Sequence, residues 1–132
     1  MVSIYFESVP GFIEGEDILV KYAIYNEEDE LIHSKQFSID YVIPLISDHA
    51  ALLAILKHLK KYNDEDEIVF FINNASLFAQ LNGHSTIKKE KAIVYCDKIM
   101  AAVSKLRPLI SIEDVSPNHN AMLEWKKALD VF

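Results

Sequence analysis

The sequence predicts an α/β domain with a mixed five-stranded sheet, its elements in the order βββαβααβα. Three observations predict it. The first forty or so residues hold three runs of strand-like character joined by short turns. After them the apolar residues recur at helical spacing, as Leu52, Ile55, Leu56 and Leu59. Between two helical stretches lies Ile68-Val69-Phe70-Phe71-Ile72, an apolar run bounded by charge and Asn. Such a run suits a strand buried on both faces. Strands first laid as a meander and then alternating with helices imply a mixed sheet.

Each element has its own warrant. Val2, Ile4 and Phe6 alternate with Ser3, Tyr5 and Glu7, a strand over residues 2–8. Pro10-Gly11 turns the chain, and Ile18 to Tyr25 forms the second strand. Asn26-Glu27-Glu28-Asp29-Glu30 is an acidic turn into a third strand, Leu31 to Ile39, where His33 and Lys35 suit an exposed edge. The first helix is expected over residues 46–61, with Ser47 as N-cap and Asp48 in the first turn. After the strand at Ile68, Asn73 or Asn74 can cap a short helix carrying Leu77, Phe78 and Leu81, which Asn82-Gly83 ends. A longer helix over 89–106 carries Ala92, Cys96, Ile99, Val103 and Leu106, and Pro108 breaks it. Leu109 to Glu113 is the fifth strand, and Ala121 to Val131 a closing helix with Trp125. In open sheets ligands bind beyond the carboxyl ends of central strands, so a polar site is expected near Asn73.

Composition narrows the function classes. The 132 residues are expected to form one domain, residues 1–132, with three glycines, four prolines and no linker-like stretch. No apolar segment approaches the roughly 20 residues a membrane span needs, and no signal peptide is expected at the start. Cys96 is the lone cysteine, so no intrachain disulfide forms and a cytoplasmic setting is expected. The net charge of −7 argues against a general nucleic-acid coating protein. The charges are nonetheless segregated, with acids crowded between Glu14 and Glu30 and bases between Lys88 and Arg107. The histidines show no paired metal spacing, and one cysteine cannot build a structural zinc site.

Gln80-Leu81-Asn82-Gly83, the segment Thr86-Ile87-Lys88-Lys89-Glu90-Lys91, and the run from Val115 to Glu124 appear in this order along the chain. In order and spacing, over nearly the whole length, the chain resembles the ribonuclease H type 1 family. The resemblance implies the ribonuclease H-like fold and a chemistry in which four carboxylates hold two divalent metals to cut the RNA of an RNA–DNA hybrid. Placed one at a time, those acids fall on Glu7, Ala51, Asn73 and Glu124, the second set in register by Ala54 and Leu59. His119 is set against a family histidine thought to assist proton movement. Only Glu7 and Glu124 carry charge, so at most weak binding of one magnesium or manganese ion is expected, and otherwise no cofactor. Asp48, three residues before Ala51 on the same helix face, is a displaced candidate ligand.

Three functions follow. In the first, a degenerate domain without ordinary ribonuclease H activity keeps a grip on RNA–DNA hybrid or structured RNA. Lys88, Lys89 and Lys91 would touch phosphates there, and Asn73 and Asn74 the RNA strand. In the second, the fold serves a protein partner through residues 14–30 or the edge strand 31–39. In the third, an altered site still cleaves.

Overall fold

A computed structural model of the protein describes residues 1–83 and 90–132. Five strands, β1 (Val2–Val9), β2 (Ile18–Tyr25), β3 (Leu31–Ile39), β4 (Glu67–Ile72) and β5 (Leu109–Asp114), form one sheet. Their order is β3-β2-β1-β4-β5. The first three pair antiparallel, as short turns require, and β4 joins β1 and β5 in parallel. The acidic turn works because Asn26 Oδ1 accepts the N–H groups of Glu28 and Glu30, at 3.0 and 2.9 Å. β3 is the sheet's exposed edge.

The helices are α1 (Ser47–Leu56), α2 (Ala75–Leu81), α3 (Glu90–Ser104) and α4 (His119–Ala128). They divide between the faces. On one side Ile4, Phe6, Val20, Phe70 and Ile72 pack with Leu52, Ile55, Leu77 and Ile99 of α1, α2 and α3. On the other side Trp125 and Leu129 pack with Tyr5, Phe71 and Val115. The Tyr5 and Phe71 rings stack 4.7 Å apart on neighbouring parallel strands. Trp125 is core, its indole N–H donating to the Phe6 carbonyl at 3.2 Å.

Helix boundaries depart from the sequence reading, for identifiable reasons. α1 ends at Leu56, where the chain tightens into i→i+3 bonds such as His58 N–H to the Ile55 carbonyl, and then a 3₁₀ turn at Lys60–Tyr62. Leu59 is still fully buried, because a tighter turn also satisfies three-residue apolar spacing. Ser47 does not cap α1. A 3₁₀ turn at Pro44–Ile46 runs straight into the helix, and Ser47 Oγ donates back to the Pro44 carbonyl. α4 begins two residues earlier than expected because Asn118 caps it, accepting the Ala121 N–H at 2.9 Å. The end of α2 is as expected, with Gly83 at φ +70°.

Candidate functional site

β1 and β4 are parallel neighbours, so their carboxyl ends share one edge of the sheet, where a ligand site is expected. Three elements bring polar side chains to that edge. Val2, Ile4 and Phe6 of β1 are buried beneath α1, and the next residue in their alternation is Ser8. β4 presents Ile68, Phe70 and Ile72 to the same face, and Asn74 follows just past its end. α1 places Asp48 in its first turn, where a carboxylate also suits the helix dipole.

These three side chains meet. Ser8 Oγ donates to Asp48 Oδ1 at 2.5 Å, and Asn74 Nδ2 donates to Asp48 Oδ2 at 2.9 Å. Asn74 Oδ1 in turn accepts the Leu77 N–H at 2.9 Å and so caps α2. Ser47 Oγ lies 3.0 Å from Ser8 Oγ. Asp48 is therefore a half-buried carboxylate with a protein donor on each oxygen. Charge-assisted bonds of this kind are the stronger sort.

Glu7 and Glu124, the acids expected from the resemblance, line two different clefts that share Lys127. Glu7 lies on the opposite face of β1 from Ser8. It sits across from Lys21 on β2, in a cleft with Trp125 and Lys126. Glu124 lines a separate cleft with Tyr5, Tyr25 and Lys127. Burial pushes the Tyr5 phenol up, and the Glu124 and Asp29 charges push it further the same way. Asn73 is exposed at the strand tip and makes no side-chain hydrogen bond among the described residues, while its neighbour Asn74 turns inward. His119 is the exposed first residue of α4. Ala51 is fully buried in the core. The α1 side chain that bonds residues at the strand ends is Asp48. The same spacing rule, an acid three residues before Ala and eight before Leu, lands on Asp48 when read from Ala51 and Leu56. That signal was present in the sequence. Ser8 had no such signal, since a serine after a strand's apolar run is unremarkable.

Of the predicted phosphate-contacting lysines, Lys91 is exposed at the start of α3. Lys88 and Lys89 lie outside the described residues.

The resemblance implies a pair of divalent ions held by carboxylates. The side chains at the strand ends do not fit such a pair. The strand-end cluster offers one carboxylate, and both of its oxygens already accept hydrogen bonds. Two adjacent divalent ions need several anions to offset their repulsion and lost hydration. Among the described residues no group of three or more His, Cys, Asp or Glu side chains is arranged to hold a metal ion. Beneath the cluster, buried His49 bonds Gln80 through Nε2 at 2.7 Å, and the Cys96 thiol faces the same amide oxygen at 3.8 Å. Burial, aided by Asp97, pushes that thiol up, away from the reactive thiolate. Among the described residues no helix is long and apolar enough to cross a membrane.

No protein-family model matches the sequence, and no curated protein does. Solved structures do. A ribonuclease H1 isolated from compost by a metagenomic approach superposes with a TM-score of 0.76 at 17% identity, covering 98% of this chain and 95% of that one. The same enzyme in complex with RNA/DNA hybrid gives 0.74 at 17% identity, covering 98% and 97%. The ribonuclease H1 of the archaeon Halobacterium salinarum gives 0.72 at 15% identity, with 98% and 97% covered. Likeness at such low identity reaches the fold and not the site. Element order, sheet topology and superposition agree: over nearly its whole length, this chain has the ribonuclease H-like fold.

Proposed function

We propose that this chain is a ribonuclease H-like domain that lacks ordinary metal-dependent cleavage and uses the fold to hold nucleic acid. The observation that carries the first half is the Asp48 carboxylate, held by one hydrogen bond on each oxygen, from Ser8 and from Asn74. A hydroxyl and an amide stand beside it where further carboxylates would be needed. The cluster thus serves to join β1, α1 and α2 rather than to concentrate cations. The second half rests on the exposed Asn73 amide at the strand tip and the exposed Lys91. Lys88 and Lys89, just before Lys91 in sequence, would add phosphate contacts. One solved neighbour of the same fold is seen with RNA/DNA hybrid. A cytoplasmic setting suits the lone, unreactive Cys96.

The test is cleavage of end-labelled RNA–DNA hybrid with magnesium and, separately, manganese, run beside Asp48→Ala and Glu7→Ala. The expected result is no cleavage above the background of either variant. Metal-dependent cleavage that disappears in either variant overturns the reading and establishes an enzyme with a rebuilt site. Hybrid binding is followed by anisotropy across salt. Phosphate contacts predict affinity that falls steeply as salt rises.

A further inference from the structure

At the end of the fold remote from Asp48, α1 and α3 leave a cleft of about 610 Å³ between their carboxyl-terminal halves. Its floor is mostly apolar, built from Leu53, Leu56, Ala102 and Leu106, with Asn63 as the one uncharged polar residue of the lining. Its rim is basic, with Lys57 and Lys60 on one side and Lys98 and Lys105 on the other. The two sides share one spacing pattern. Leu53, Leu56, Lys57 and Lys60 fall at i, i+3, i+4 and i+7, and so do Lys98, Ala101, Ala102 and Lys105. Helical and 3₁₀ turns bring each set to one side, so the lysines face each other across an aliphatic trough. All four lysines are exposed, and among the described residues none forms an ion pair. In a chain of net charge −7, four cations converging without a carboxylate partner is a local reversal of sign.

We propose that this cleft docks an acidic amphipathic segment of a protein partner, its apolar side chains on the leucine floor and its Asp or Glu residues on the lysine rim. Charge complementarity selects an anionic occupant. The floor selects a peptide over a nucleic-acid backbone, because phosphodiester bears no aliphatic groups to bury and the described lining offers no aromatic ring for base stacking. A groove between two helices with apolar anchors at helical spacing is a common seat for an amphipathic helix. The surface is also separate from the proposed hybrid-binding tip. Lys57 stands nine positions after Asp48, roughly 13 Å at helical rise. Lys105 and Leu106 precede the start of β5, which pairs with the start of β4.

The test uses the full chain and a fluorescein-labelled helical peptide with Leu at i, i+4 and i+7 and Glu at the flanking positions. A control peptide carries Gln in place of every Glu. The expected result is saturable anisotropy for the acidic peptide, much weaker for the control, with amide shifts confined to the facing segments of α1 and α3. Lys57→Gln combined with Lys98→Gln should weaken binding roughly tenfold. These are exposed side chains, and an unchanged thermal unfolding curve shows that the variant is folded. Absence of saturable binding overturns the proposal, as does binding that the double variant leaves unchanged. RNA–DNA hybrid competing the peptide from this cleft would assign it to nucleic acid instead. Self-association lost in the double variant would assign it to a second copy of the chain.

Discussion

Replacing Asp48 by Ala separates a structural carboxylate from a ligand-binding one. Asp48 accepts from Ser8 at 2.5 Å and from Asn74 at 2.9 Å. A hydrogen bond to a charged acceptor contributes about 1.5–3 kcal/mol, and a carboxylate in the first turn of a helix adds about 0.3–1 kcal/mol. Asp48 is only half-buried, so water takes over part of this once the side chain is gone. Ser8 can also turn to Ser47 Oγ at 3.0 Å. The expected loss is therefore about 3 kcal/mol, which for a domain of this size lowers Tm by roughly 10 °C. Urea unfolding in metal-free buffer, followed by circular dichroism, measures it. A double-mutant cycle with Asn74→Ala should return a coupling of about 1–2 kcal/mol, because the pair shares one bond. A cation site predicts the opposite. Its acids repel one another without metal, so losing one leaves the fold equally or more stable. Magnesium would then stabilise the parent, by about 2.7 kcal/mol at about 100 times Kd. An Asp48→Ala variant as stable as the parent, together with a magnesium-dependent rise in the parent's Tm, would refute the reasoning.

Rebuilding the acids should move the protein the other way: Ser8→Asp with Asn74→Asp places three carboxylates together, and calorimetry should detect manganese binding that the parent lacks, alongside lower stability without metal. Tyr25→Phe removes the hydroxyl that donates to the Ala128 carbonyl at 2.7 Å; unfolding should show a loss of about 1 kcal/mol, the ordinary contribution of one such bond. His33 and His58 are held below the usual imidazole value, chiefly by burial and then by Lys61 and Lys35 for His33 and by Lys35 for His58. A lowered folded pKa means that the unfolded chain binds more protons just below pH 6.5. Stability should therefore be full above that pH and decline as acid passes toward the folded values. NMR titration of both rings, with midpoints below 6.5, checks the premise.

The fold was legible because period carries it. Val2, Ile4 and Phe6 could face only one way together, and all three are buried beneath α1. The apolar run from Ile68 to Ile72 proved to be the parallel neighbour of β1, packed on both sides. Helix ends were less legible, since Leu59 satisfies α and 3₁₀ spacing alike.

The candidate site was only half legible. Sequence alone led to the expectation of a polar site at the end of β4 and of an incomplete set of four acids. It drew attention to Glu7 and Asn73 because one is an acid and the other its amide analogue. Their immediate neighbours, Ser8 and Asn74, are the residues that meet Asp48. The reason is geometric. Along a strand a shift of one residue crosses the sheet, and along a helix a shift of three stays on one face but moves a full turn. Residue type therefore gave only the expectation of an incomplete carboxylate set, while tertiary packing decided which side chains meet Asp48. The lysine cleft follows the same division. Each half of it is written in local spacing, but the packing of α1 on α3 is what sets the halves opposite each other.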